Sequence, residues 1–414
     1  MNPSEKNWAG NWKYQASEAF RPTSASEVQE IVRRETNVKA IGTRHSFNGA
    51  ADTVGVQVSM HRLNRVLTHD AERRTVTVEA GITCGDLACY LKQHGLALRN
   101  MASLPHISVG GACATSTHGS GDRNGSLSTM VAELEMVDGL GDLISFRRGD
   151  PDFDGVAVHL GALGVVTSLT LDVVPHFDVA QHVYTGLPFE ALEDYFDDIF
   201  GAAYSVSLFT DWRQPRFNQV WLKRTSEQDL PPSEFFGAVA ADRQLHPLEG
   251  MPSENCTVQL GAMGSWDERL PHFQLEFTPS AGEELQSEYI VPRGRAYEAL
   301  CAVRELRQEI APLLYISEIR SIAADDLWMS MYYKRESVGI HFTWKQHTAE
   351  VASLLPKIEE ALTPFAARPH WGKLFARRSF SDLYHRLPDF RDLVNRHDPS
   401  GKFRNDYVEA LLQA

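Results

Sequence analysis

The sequence predicts an α+β protein of two domains, the second built on a large antiparallel sheet covered by helices. Three observations carry this reading. The chain has 414 residues, 43% of them hydrophobic and 23% charged, an ordinary globular composition with material for more than one core. Up to Pro175, short alternating runs bounded by turn residues interleave with amphipathic runs. Beyond it the alternating runs lengthen and longer helical ones follow, the pattern of a sheet with helices on one face.

Thr23–Arg34 opens with Thr and Ser as caps and sets Val28, Ile31 and Val32 at helical spacing. Lys39-Ala40-Ile41 reads as a short strand running into the loop GTRHSFNG. Gly55–Met60 and Arg74–Glu79 alternate as strands. Thr83–His94 is amphipathic and ends at Gly95, which suits a left-handed cap. Met101–Gly121 is a long stretch poor in charge. Val131–Asp138 and Asp142–Arg147 read as a hairpin about Gly139-Leu140-Gly141, and Leu160–Val174 as a buried loop followed by a strand. In the middle region Phe273–Phe277 and Val338–Trp344 alternate as strands, while Arg293–Glu309 and Thr348–Ala366 read as helices. The final stretch, from Trp371, carries DPSGKFRNDY. No internal repeat or low-complexity tract is present.

Composition and missing motifs narrow the function. The net charge is −14 with no basic tract, which argues against nucleic acid or an anionic membrane as partner. Five cysteines, an odd number in a long chain, read as thiols in a reducing compartment. The N-terminus lacks an apolar secretion segment and no run reaches the length of a membrane span, so a cytoplasmic location is expected. GxGxxG, the P-loop, HExxH and GxSxG are all missing, which makes a doubly wound dinucleotide fold a poor reading. The histidines are scattered without ligand spacing, and no metal is expected.

Three constellations remain. In Gly42–Asn48, small residues let backbone N–H groups approach a phosphate, though a lone loop histidine such as His45 is usually a surface residue. Met101–Gly121, rich in Gly and small polar residues, suits an extended ligand along backbone amides; a surface loop is the ordinary alternative. On two strands, side chains at i and i+2 share a face. Glu318 and Arg320 point one way, and His341 and Thr343 point together opposite Val338, Ile340, Phe342 and Trp344. Such pairs can bind a hydroxylated ligand, although the wet face of a sheet gives the same pattern. His272, Gln274 and Glu276 alternate likewise and receive no function.

These residues resemble a known family. GTRHSFN, NMASLPHISVGGACATSTHGSG, GALGVVTSLTL, ELQSEY, SEIR, HFTW, RPHWGK and DPSGKF stand in the order found in alditol (xylitol or sorbitol) oxidases, flavoproteins of the vanillyl-alcohol-oxidase type. The match runs from Asn7 to the C-terminus. Sugar-lactone oxidases of the gulonolactone type share the first block and the DPxGKFxN pattern more than the middle motifs.

The resemblance implies a PCMH-type FAD-binding domain over residues 1–176, a substrate-binding cap domain over 177–370, and a segment 371–414 returning to the first domain. It implies FAD joined covalently through its 8α carbon to His45. The cofactor positions carried over are Ala40, Ile41, Gly42, Thr43, Arg44, Ser46, Ser103, Ser108, Gly111, Ala112, Cys113, Ala114 and Val165. The substrate positions are Ser103, Glu318, Arg320, His341, Thr343 and Lys373, with His341 and Lys373 at the reacting hydroxyl. No Cys occurs between Met101 and Ala112, so a second, cysteinyl flavin link is not expected.

The chemistry agrees. A polyol offers only hydroxyls, and Glu318 accepts, Arg320 donates, and Ser103 and Thr343 do both. Oxidation of a primary alcohol sends a hydride to the flavin, a proton to neutral His341, and developing alkoxide charge toward Lys373. The expected partners are a small polyol and O2, acting on a monomer. Three readings compete: an alditol oxidase making an aldose and hydrogen peroxide, a sugar-lactone oxidase or dehydrogenase, and a non-catalytic flavin- or sugar-binding protein.

Overall fold

The computed structural model describes residues 6–275, 277 and 284–413. The first block holds two main sheets and a short two-stranded one, Leu96–Ala97 with Val174–Pro175. Val56–Ser59 lies between Glu18–Phe20 and Val38–Ile41, parallel to both. The second, antiparallel sheet runs in the order Val66–Asp70, Thr75–Glu79, Val165–Asp172, Val131–Val137, Leu143–Arg147. The expected hairpin is present: Asp138 accepts from the backbone N–H groups of Leu140 and Asp142, and Gly141 takes φ 83°.

Helix Ala25–Arg34 is capped by Ser24 and buries Val28, Ile31 and Val32. Helix Cys84–Gln93 is capped by Thr83, and Gly95 beyond it takes φ 67°. Both pack into one core with the end of the chain, where Trp371, Leu387, Phe390 and Leu411 join Val58, Val78 and Leu169. Backbone and side-chain bonds reinforce this return. Val38 N–H donates to Lys402 O, and the Asn405 amide donates to the carbonyls of Gly49, Ala50 and Asp52.

The second domain is a ten-stranded antiparallel sheet. Its central strands run in the order Asp178–Pro188, Arg216–Thr225, Ser205–Thr210, Leu314–Ile322, Ser337–Lys345, Glu284–Pro292. Helices Ala191–Gly201, Ala296–Glu305 and Thr348–Leu362 cover one face, burying Leu208, Ile319, Ile340, Phe342 and Trp344 among their own apolar residues. Burying such a face supplies most of the stability of a sheet–helix layer, at roughly 25 cal/mol per Å². The opposite face carries Glu318, Arg320 and His341. Part of it lies under the segment after Ala241, where Leu245, Leu248, Cys256 and Phe273 meet Phe209 and Trp221.

Two elements differ from expectation. The run Arg293–Glu309 is not one helix: Ala296–Glu305 ends at Leu306, where tight i→i−3 bonds intervene, and Arg307–Leu313 begins anew. Phe273–Phe277 is not a strand. Phe273 makes an isolated bridge to Cys256, Phe277 N–H turns back to Gln274 O, and Glu276 lies outside the described residues. The alternation there reflects Phe273 packing under the sheet. Among the described residues, no helix is long and apolar enough to cross a membrane.

Candidate active site

The loop after Val38–Ile41 and the short helix Val109–Ala114 press together to form one wall of a cavity. Ser108 N–H donates to Thr43 Oγ1 at 3.1 Å. A Cβ on Gly42 would stand 2.1 Å from Ser108 Oγ, and one on Gly110 would stand 2.8 Å from Ala80 O. The clash at Gly110 is with backbone and requires glycine there, whereas a side chain at position 42 would make the Ser108 hydroxyl turn aside. Arg44 takes φ 64°, a strained value for a non-glycine residue, and turns the loop so that His45 lines the cavity. His45 stacks on Trp8 with ring centroids 5.0 Å apart, and its Nδ1 lies 3.1 Å from Thr43 Oγ1. Its Nε2 is buried with no hydrogen-bond partner. Burial, with His106 adding to it, pushes the ring down to about 4, so it is neutral near pH 7.

The opposite wall is polar and comes from three adjacent strands. Register pairs Glu318 with His341, and His341 with Glu288, so these side chains form one row across the sheet. In the next row Gly339 faces Arg320. A Cβ there would lie 2.8 Å from Glu288 Oε1, so its absence leaves room for Arg320 Nη2 to donate to that oxygen at 3.1 Å. Arg320 Nη1 donates to Ser103 Oγ at 3.2 Å. Glu318 Oε1 accepts from His272 Nε2 at 2.7 Å and lies 3.6 Å from Arg320 Nε.

Lys373 Nζ donates to Glu288 Oε2 at 2.5 Å. Its turn is pinned to the His45 loop, because Asn48 Nδ2 donates to the carbonyls of Trp371 and Lys373, and Phe47 N–H to Gly372 O.

Charge is balanced within this buried row. Burial alone would raise the Glu288 carboxyl, but Lys373, His118 and Arg320 hold it well below the usual range. Burial would also raise Glu318, and Arg320 and His272 keep it low. Both carboxylates are therefore ionised. Burial, with Lys373 next, holds His341 well below its ordinary value, so the ring is neutral, and its Nε2 has no partner. Burial lowers Lys373 while Glu288 opposes the shift.

This chain is 48% identical, over the full length of both chains, to the alditol oxidase of a Streptomyces species. It belongs to the alditol oxidase family. An L-gulono-1,4-lactone dehydrogenase of Mycobacterium tuberculosis is 30% identical, also over all of both chains. Residues 16–147 match the family described as FAD binding domain, and residues 281–411 the one described as D-arabinono-1,4-lactone oxidase. A crystal structure of cholesterol oxidase from B. sterolicum superposes with a TM-score of 0.78 at 15% identity, covering 99% of this chain and 96% of that one. That likeness shows a shared fold, the vanillyl-alcohol-oxidase type.

FAD is the cofactor of this alditol oxidase family member, and the residues present fit it. The close-packed glycine wall offers backbone groups to a pyrophosphate, and the unpartnered His45 Nε2 stands in the same cavity. Of the residues expected from sequence, Ala40, Ile41, Gly42, Thr43, Arg44, His45, Ser46, Ser103, Ser108, Gly111, Ala112, Ala114, Glu318, Arg320, His341 and Lys373 line this one cavity.

Three expected residues do not line it. Cys113 turns from the wall into the first core, which also holds Cys84. Val165 is buried in that core, and its neighbour Val166 lines the cavity instead. Thr343 lies one row beyond His341, opposite Gln286, and it is Gln286 that lines the cavity.

Sequence reasoning missed Glu288, Gln286, His118, His370 and His272. Gln286 and Glu288 stand at i and i+2 in ELQSEY, a same-face pair like Glu318 and Arg320. His118, Glu288 and His370 lie at metal-ligand separation. However, Glu288 is already engaged by two cations, and His370 Nδ1 accepts from Gly372 N–H, which leaves the proton on Nε2.

Proposed function

We propose that this protein oxidises the terminal primary hydroxyl of alditols, xylitol and sorbitol among them, to the aldose, with O2 reduced to H2O2. The observation that carries the reading is the row Glu318–His341–Glu288, with Arg320 and Lys373 beside it, facing the cavity that also holds His45. FAD, when bound, supplies the hydride acceptor and returns the electrons to oxygen. Glu318 accepts from substrate hydroxyls, Arg320 donates to them, and Ser103 does both. Neutral His341 takes the hydroxyl proton at Nε2, and Lys373 stabilises the alkoxide as it develops.

We further propose that His45 carries FAD covalently at the 8α carbon, supported by its unpartnered, neutral nitrogen. The domain limits we propose are 1–176 with 371–414, and 177–370, supported by the joining of the C-terminal helices to the first core. Free thiols at all five cysteines suit a cytoplasmic protein, and a monomer is the assembly we propose, checked by size-exclusion chromatography. The lactone reading is favoured by the D-arabinono-1,4-lactone oxidase match over residues 281–411. A peroxide assay with xylitol, sorbitol, mannitol, glycerol and gulonolactone separates the readings. Turnover of the lactone alone overturns the alditol reading, and an inert yet FAD-loaded protein overturns both.

A further inference from the structure

Glu318 is held by a residue that the sequence reading left without a function. His272 comes from the segment packed under the sheet, and its Nε2 donates to Glu318 Oε1 at 2.7 Å. On its other side stands Lys223, on the strand Arg216–Thr225 and 1% exposed. Lys223 Nζ donates to Leu270 O at 2.5 Å, to Pro271 O at 3.0 Å and to His272 Nδ1 at 3.3 Å. An ammonium has three protons and no lone pair, and here three acceptors surround it. Among the described residues, no carboxylate lies within ion-pair distance of it. Burial pushes its amine down to about 7, the cost of a cation without a counter-ion beside it, so its placement with three acceptors, one of them an imidazole, calls for an account.

The account is tautomer control. With Nδ1 occupied as an acceptor, neutral His272 must carry its proton on Nε2, aimed at Glu318. Two rings clamp the imidazole: Trp221 at 5.2 Å and Phe209 at 5.6 Å between centroids, both edge-on. Glu318 is thereby anchored through Oε1 alone. Among the described residues Oε2 has no protein hydrogen bond, and Glu318 lines the cavity.

We infer that Lys223 and His272 form a positioning relay that fixes the rotamer and the free oxygen of Glu318, and so sets affinity for the hydroxyls of an alditol remote from the reacting carbon. The inference rests on the reading of Glu318 as a hydroxyl-binding residue. Lys223 and His272 touch neither substrate nor cofactor in this account; they act through Glu318. The logic matches other sites where a third group orients the working side chain.

The experiment uses the FAD-loaded protein and xylitol. Anaerobic stopped-flow reduction gives a limiting rate and a half-saturation concentration for each variant, and flavin absorbance confirms the fold. His272→Phe deletes the donor and should raise the half-saturation concentration by about tenfold or more, with the limiting rate changed by less than about threefold. His272→Gln keeps one donor and one acceptor and should recover most of the lost affinity. Lys223→Met should follow His272→Phe, and the double variant should be no worse than the worse single one. If Lys223→Met fails to fold, the two His272 variants decide the matter.

Glu318→Gln is the separate control. An unchanged half-saturation concentration in that variant overturns the reading of Glu318 itself. A raised value there, beside an unchanged one in His272→Phe or no rescue by His272→Gln, overturns the relay alone.

Discussion

Replacing Glu288 by Gln probes the charge balance within the buried row it shares with His341 and Glu318. The carboxylate is fully buried and faces Lys373 at 2.5 Å, His118 at 3.0 Å and Arg320 at 3.1 Å. Gln keeps the shape and deletes the charge. Lys373 and Arg320 are then left in the interior with Glu318 as the remaining carboxylate, 3.6 Å from Arg320. Breaking a buried pair in this way costs about 3–5 kcal/mol. Much of that cost is the stranded cation, so adding Lys373→Met should recover about 1–3 kcal/mol. Recovery is partial because Arg320 stays under-balanced.

The pH dependence follows from the same contacts. Glu288 is held below the ordinary 4.5 by its cations, against the effect of burial. Its stabilisation is therefore complete above 4.5 and is lost only as pH falls through the depressed value. The Glu288→Gln penalty should stay flat from about pH 8 to about pH 5. Equilibrium urea unfolding of the FAD-loaded wild type, both single variants and the double variant measures all of this. If the two substitutions add within about 0.5 kcal/mol, Glu288 and Lys373 do not share a charge and the reasoning is refuted.

Four further outcomes are expected. His45→Ala should give acid-precipitated protein without colour, whereas the wild-type pellet stays yellow and yields a flavin-bearing His45 peptide; a colourless wild-type pellet removes the covalent link. Lys373→Met and His341→Ala should each slow anaerobic flavin reduction by about 10²–10³, and wild-type limiting rates in both would remove these residues from the chemistry. Because His341 is held well below 6.5 by burial and Lys373, the wild-type reduction rate should stay level through 6.5 and fall only at lower pH; a midpoint at 6.5 contradicts this. Gly42→Ala brings a Cβ to 2.1 Å from the present position of Ser108 Oγ, makes that hydroxyl turn aside and should lower flavin content at purification, read from the ratio of flavin to protein absorbance.

What the sequence discloses depends on range. Glu318, Arg320 and His341 are legible because strand alternation fixes faces within a few residues. The row that unites them with Glu288 is not legible, because it depends on register between strands far apart in the chain. Glu288 stood in plain view in ELQSEY, but a Glu on a strand usually faces water, and only the neighbouring Lys373 and Arg320 make it a site residue. His272 draws no function from the sequence because its alternation is generic, and the described residues around it do not form a strand. Thr343 shares a face with His341, yet the cavity wall beyond His341 is made by Gln286. Helix Ala25–Arg34, by contrast, needs only its cap and spacing, both local, and was read correctly apart from its first residues.

The bonds from Asn48 to the carbonyls of Trp371 and Lys373 span 323 and 325 positions. Synthesis proceeds from the N-terminus at roughly 5–20 residues per second. The His45 loop therefore leaves the ribosome many seconds before the turn that braces it, and before the helices that close its core. A nascent chain of the first block alone holds the glycine wall but neither Lys373 nor the apolar side chains after Trp371. Cofactor capture in final geometry is thus a post-translational event, and the last part of the chain to be made determines when the first part becomes competent.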